Sequence, residues 1–300
     1  MSWVLITIFA YFLFAITAII DKYLISGPIP SPKVYVFYMG VLSIFVLFLV
    51  PLGFSIPEPL ILLLALLAGA VRIFALFGFF SALSLFEASR VVPAIGGVLP
   101  IFTFLLTYFF SGGKEVFNPL EILAFISLVA GTVLISLEKR KSITLKSLQI
   151  SVLTAFLISL SFLLSKFVYL NQPFWSGFIW IMMGSFLMSF YFFFSKEVKK
   201  ELFQTKISFK PKTAKIFLTN QVMGASAFIL QNWAIALVPL GFLAFVNALE
   251  GTKYVFLLIF TILLSLKFPQ ILKEEISRKI LLQKIIAILL IGLGLSLIAF

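Results

Sequence analysis

The chain has 300 residues and a net charge of +12, and 62% of it is hydrophobic against 11% charged. That is more apolar surface than a soluble core of this length needs, so the chain reads as a polytopic membrane protein. It contains no Cys and no His, which excludes disulfides, thiolate chemistry, imidazole catalysis and His/Cys metal sites.

Ten apolar spans are predicted, at 2–25, 34–54, 59–86, 88–110, 118–137, 147–170, 174–195, 214–237, 240–266 and 280–300. About 20 apolar residues suffice to cross a bilayer. The breaks carry Pro, Gly or charge, as turns do: Ser26-Gly27-Pro28-Ile29-Pro30, Ser55-Ile56-Pro57-Glu58-Pro59 and Ser111-Gly112-Gly113-Lys114-Glu115. Glu87-Ala88-Ser89-Arg90 and Val238-Pro239-Leu240-Gly241 are shorter breaks and imply tight hairpins. Met1-Ser2-Trp3 carries no basic segment, so a cleaved signal peptide is not expected.

Of the 23 Lys and Arg, 19 lie in or beside the odd-numbered loops. In a soluble protein this surplus would point to nucleic acid; in short loops it sets topology. The odd loops are therefore expected in the cytoplasm and both termini outside, in a plasma membrane of the prokaryotic inner-membrane kind. Trp175 and Trp180, at the start of span seven, read as interfacial anchors. The Lys-rich segment 196–215 reads as a solvated connector, with contact to anionic headgroups as the alternative.

The chain repeats itself. Lys22 matches Lys166, Ala82-Leu83-Ser84-Leu85 matches Ala234-Ile235-Ala236-Leu237, and Gly131 matches Gly294. The offsets are 144, 152 and 163 residues, growing as loops lengthen. This divides the chain into a five-helix repeat at 1–137, a basic linker at 138–146 and a second five-helix repeat at 147–300. Five spans is an odd number, so the second half must insert upside down. Inverted repeats are a common plan of secondary transporters, with the site near midplane between the halves.

In these features the chain resembles the drug/metabolite transporter superfamily, specifically its EamA-type members. Lys22 ending span one, Ala82-Leu83, Ala88-Ser89-Arg90, Pro100 and Gly131 carry the resemblance, which covers nearly the whole chain. The family's Glu-Pro pattern is split: Gly97-Val98-Leu99-Pro100 keeps the Pro, and Leu249-Glu250-Gly251-Thr252 keeps the Glu. The resemblance implies ten helices in two inverted repeats. It also implies export or exchange of amino acids, other metabolites, sugars or nucleotide sugars through a cavity lined mainly by helices one, three, four, six, eight and nine. Relatives keep both termini in the cytoplasm, and the charges of this chain indicate the reverse.

Ionisable residues deep in spans default to function, because each costs about 2.5 to 3.5 kcal/mol to insert. Arg72 lies 13 residues after Pro59, and Lys253 lies 13 after Leu240, each about 20 Å deep at 1.5 Å per residue. Glu250 shares a helix face with Lys253. One reading has Arg72 and Lys253 bind substrate while Glu250 separates them or carries a proton; the other is a closed structural ion pair. Asn220, Gln221, Gln231 and Asn232 in span eight either bind a polar solute or act as interhelical glue. Asn247, three residues before Glu250, is expected to line the cavity. Lys22 and Lys166 read as charges at opposite mouths, with an ordinary topogenic residue as the alternative for Lys22. Pro93, Gly96, Gly97 and Pro100 read as a hinge or a static bend.

The function expected is secondary transport of a small polar metabolite by alternating access, with a proton or a counter-substrate as the coupling species. Arg72, Lys253 and Glu250 sum to +1 if ionised, which favours a carboxylate or phosphate in the substrate, zwitterionic amino acids included. No cofactor or metal is expected, a single copy is compatible with the plan, and no ATP-binding motif is present. The alternatives are a channel or a non-transporting scaffold. An intramembrane enzyme is least favoured, since the chain has a single Asp and one acid in mid-span.

Overall fold

The computed structural model describes residues 2–26, 31–86, 88–136, 145–203, 211–267 and 278–299. Every regular element among them is helical: α1 Ser2–Ser26, α2 Pro32–Leu42, α3 Pro59–Leu85, α4 Ala88–Phe110, α5 Pro119–Ser136, α6 Leu145–Asn171, α7 Phe174–Phe193, α8 Lys196–Phe203, α9 Pro211–Leu237, α10 Leu243–Ala248, α11 Gly251–Lys267 and α12 Arg278–Ala299. Two 3₁₀ segments, Ser43–Leu52 and Leu240–Phe242, continue α2 and lead into α10. Of the basic linker expected at 138–146, residues 138–144 lie outside the described residues.

Local chemistry sets several boundaries. Pro opens α2, α3, α5 and α9, where its missing N–H costs nothing and its fixed φ suits the first turn. Asn118 and Glu121 form a reciprocal cap on α5, each side chain accepting the other's backbone N–H at 2.9 and 2.8 Å. Gly112 and Gly113 turn the chain before it with φ of 67° and 79°, a region that suits glycine.

Seven segments are long and apolar enough to cross a membrane: Ser2–Ile25, Pro32–Leu52, Pro59–Leu85, Pro119–Ser136, Leu145–Asn171, Phe174–Phe193 and Leu240–Phe260. Ala94–Phe110 and Leu282–Ile298 are shorter apolar helices. The span expected at 214–237 lies on α9, which is not among the seven; Lys215, Asn220, Gln221, Gln231 and Asn232 dilute its hydropathy. The outer surface is apolar as well, with Phe48, Leu5 and Phe109 each at least 70% exposed. In water such a surface would aggregate, whereas in a bilayer it is the solvated face. The chain is a helical, multi-pass membrane protein.

The most extensive packing joins α3 to α6 and α7, α5 to α12, α1 to α9, and α4 to α6. Lipid supplies little hydrophobic drive between helices, so close approach of small residues must do the work. At the α3–α7 crossing, a Cβ on Gly69 would enter the backbone around Ile181, and one on Gly184 the backbone of Leu66. Ser185 Oγ donates to the Gly69 carbonyl at 3.0 Å, and from α6 Ser161 Oγ donates to the Ala68 carbonyl at 3.0 Å. At the odd-loop end, Lys33 ties α2 to Glu197 of α8 at 2.9 Å. The Lys33 hydrogen bond holds the Glu197 carboxyl below its usual range, yet both groups are exposed and such pairs contribute little.

This packing predicts that Gly184→Val wedges α3 from α7. The expected loss is on the order of 1–3 kcal/mol, seen as an earlier thermal transition in detergent. Gly292→Ala, where a Cβ meets nothing within 4 Å, should leave the transition unchanged.

Candidate functional site

The helices enclose a cavity of about 540 Å³, within the range of small-molecule sites. Its walls come from α1, α2 and its 3₁₀ continuation, α3, α4, α6, α7, α9, α10 and α11. Arg72, Asn220, Gln221, Gln231, Asn232, Asn247, Glu250 and Lys253 all line it. Between the 3₁₀ segment and α9 the wall is open: Phe45 and Val222 line the cavity yet are 56% and 69% exposed.

The helix carrying Glu250 is broken. α10 ends at Ala248 and α11 starts at Gly251. Across the break the backbone N–H groups of Glu250, Thr252 and Lys253 bond three residues back, at 2.9–3.0 Å. Such a break strands carbonyls that a membrane cannot solvate. Side chains from other helices answer them: Tyr11 of α1 donates to the Val246 carbonyl at 2.9 Å, and Thr132 of α5 to that of Ala248 at 3.4 Å. Gly251 permits this approach, since a Cβ there would collide with Thr132 Oγ1.

Glu250 pairs with Lys253 of its own helix rather than with Arg72. Tyr254 donates to the same Glu250 Oε1 at 3.0 Å, and Lys253 Nζ lies 4.8 Å from the Tyr254 ring centroid. Arg72 stacks over Phe228 with its guanidinium carbon 4.1 Å from the ring centroid, and donates a long hydrogen bond, 3.4 Å, to Ser185 Oγ. No carboxylate among the described residues forms an ion pair with it.

The polar side chains form small relays. Asn247 donates to Thr103 Oγ1 at 2.6 Å, which ties α10 to α4. Gln231 reaches Tyr11 Oη at 3.5 Å, and Tyr169 donates to Asn232 Oδ1 at 2.8 Å. Asn220 donates from Nδ2 to Asp21 Oδ1 at 2.6 Å, and Tyr35 donates to the same oxygen. Asp21 lines the cavity and was not among the residues expected there. Its signal was available: it is the chain's one Asp and lies inside an apolar span. With it, the formal charges of Arg72, Lys253, Glu250 and Asp21 sum to zero.

Lys22 and Lys166 do not line the cavity. Lys22 is exposed near the end of α1. Lys166 is 2% exposed and donates to the Ala236 carbonyl at 3.0 Å, at the C-terminal end of α9 where the helix dipole favours a cation. Gly96, Gly97 and Pro100 lie within one continuous α4, while the side chain of Pro93 lies outside the described residues. Gly96 faces Thr132 and Tyr254, and Gly97 faces Val133. Trp180 Nε1 donates to the Ser55 carbonyl at 3.0 Å, and Trp175 packs on Trp233.

No protein-family model and no curated protein matches the chain. Among solved structures 26 chains match. One, described as "Crystal structure of protein", has a TM-score of 0.68 at 16% identity, over 99% of this chain and 96% of that chain. At that identity the likeness shows the fold alone.

Removing one member of a buried pair strands the other, at a cost of about 3–5 kcal/mol. Glu250→Ala should therefore lower the unfolding midpoint strongly. Glu250→Gln combined with Lys253→Met should recover most of the loss. Detergent unfolding curves of the two variants test this, and equal loss in both would show that the pair is not a unit.

Proposed function

We propose that the chain is a secondary transporter of a small polar metabolite, built as ten spans in two inverted five-helix repeats of the drug/metabolite transporter kind. The observation that carries this reading is the cavity itself. It lies among membrane-spanning helices of both halves, and Arg72, Asp21, Glu250 and Lys253 all face it. Charges held at such depth beside a cavity of this size suit a solute path.

The helix packing supports the repeat. Exchanging the halves carries the α3–α6 contact onto α9–α1 and leaves α5–α12 on itself, and each of these is among the most extensive in the protein. The same exchange carries α3–α7 onto α9–α2. That pair packs less extensively and meets at Tyr35, Tyr38 and Phe217. Two halves alike in fold but unlike in closure are what alternating access requires. The broken helix at Glu250 adds support, since discontinuous helices frame transporter sites.

In this reading Arg72 binds an anionic group of the substrate, and Glu250 with Lys253 is the unit whose protonation or opening couples to movement. Asn247, Gln221 and Gln231 supply hydrogen bonds. The orientation is the one the loop charges imply, with both termini outside.

Purified protein in liposomes should exchange internal for external labelled substrate without a gradient. A panel of carboxylate and phosphate metabolites is the first screen. A channel or a scaffold does not give counterflow. Glu250→Gln should abolish uptake driven by a pH gradient while sparing counterflow. For orientation, cysteine placed at Lys196 of this Cys-free chain should resist impermeant maleimide in intact cells; labelling there would reverse the topology.

A further inference from the structure

The Asp21 corner of the cavity is short of positive charge. The Asp21 carboxylate accepts from Tyr35 and Asn220, both on Oδ1, and no Lys or Arg among the described residues pairs with it. Asn220 is 2% exposed, and its Oδ1 is buried with no hydrogen-bond partner. The carboxylate fixes that orientation: only the NH₂ end of the amide can face it, so the carbonyl oxygen is left over. Asn220 Oδ1 is thus left without a donor among the described residues, next to a carboxylate that lines the cavity and whose two hydrogen bonds both fall on Oδ1. A buried acceptor left unpaired costs about 1–3 kcal/mol, and a cation with N–H donors satisfies the amide oxygen while pairing with the carboxylate.

The opposite fault lies at Arg72, a guanidinium that no carboxylate among the described residues pairs with. Helix α9 measures the distance between them, because Asn220 bonds Asp21 and Phe228 carries Arg72. Eight residues of one helix span about 12 Å. Between them on α9, Gln221, Val222, Gly224 and Ala225 line the cavity, and of these only Gln221 has a polar side chain.

We propose that Asp21 and Asn220 form a subsite for the ammonium group of the substrate, with Arg72 taking the anionic group, so that the ligand is an extended zwitterion with an apolar middle. An α-amino acid is too short to reach both ends. The inference rests on the transporter reading for its occupant, while its test needs no transport.

The probe is 8-aminooctanoate, whose charges lie about 10 Å apart when extended, at about 1.2 Å per bond over eight bonds. Its controls are N-acetyl-8-aminooctanoate, 8-aminooctanamide and the short 4-aminobutanoate. Binding to purified protein is measured calorimetrically in sodium-free buffer. The zwitterion should bind roughly tenfold or more tighter than each control, as charge-assisted hydrogen bonds allow. Asp21→Asn should erase the preference over the N-acetyl compound and keep that over the amide; Arg72→Gln should do the reverse. Asn220→Ala, which leaves the Asp21–Tyr35 bond, should weaken the first preference and guards against a misfolded Asp21 variant. Equal binding of 8-aminooctanoate and its N-acetyl derivative overturns the inference, as does no binding of either. Displacement of the zwitterion by sodium chloride but not by choline chloride also overturns it, assigning the corner to a metal cation. Counterflow of a simple anion together with indifference to the ammonium group removes this inference alone. A preference for the zwitterion without counterflow removes the transport reading alone.

Discussion

Burying the Glu250–Lys253 pair in the middle of a membrane is the constraint around which the neighbouring helices are arranged. A low-dielectric interior tolerates two charges only if their remaining hydrogen bonds are also made. Tyr254 supplies one to the carboxylate. The helix break that places Glu250 exposes carbonyls, and Tyr11 and Thr132 must come from α1 and α5 to meet them. Those approaches require small neighbours, and Gly251, Gly96 and Gly131 stand where α4, α5, α11 and α12 crowd together. The pair thus dictates packing on four helices beyond its own.

The segments themselves were legible because apolar runs bounded by Pro, Gly and charge leave little choice; each expected span is mainly helical over its described residues, with 240–266 broken at Leu249–Glu250. The cavity residues were legible for the same reason. A polar side chain in an apolar span needs a partner or a cavity, and Arg72, Asn247 and Gln231 all face the same space. Partner identity was not legible. Spacing puts Lys253 beside Glu250, but nothing in it shows that Arg72 would stack on Phe228 instead of pairing. Lys166 reads like Lys22 by position in the repeat, yet burial against the end of α9 makes it a cap. Asp21 was missed because it adjoins Lys22 and the loop, where a charge looks ordinary; only the approach of α2 and α9 makes it internal.

The two ends of the cavity are unlike. Near Arg72 the wall is aromatic and donor-rich, and near Asp21 it is acceptor-rich. The formal charges sum to zero, but Arg72 and Asp21 do not pair with each other. A dipolar molecule of opposite sense would gain at both ends of such a cavity, while a single charge would gain at one and lose at the other.

The 3₁₀ segment Ser43–Leu52 carries ten residues in a form that seldom exceeds three or four. It rises about 2.0 Å per residue at three residues per turn, against about 1.5 Å and 3.6 in an α-helix. Relaxing all ten residues to α geometry would shorten the segment by about 5 Å and rotate its far end by about 200°. The turn grows along the segment, from about 40° at Phe45 to about 120° at Leu49, both of which line the cavity. Such a relaxation would act as a screw, coupling a small axial shift to a change in the side chains that line the wall.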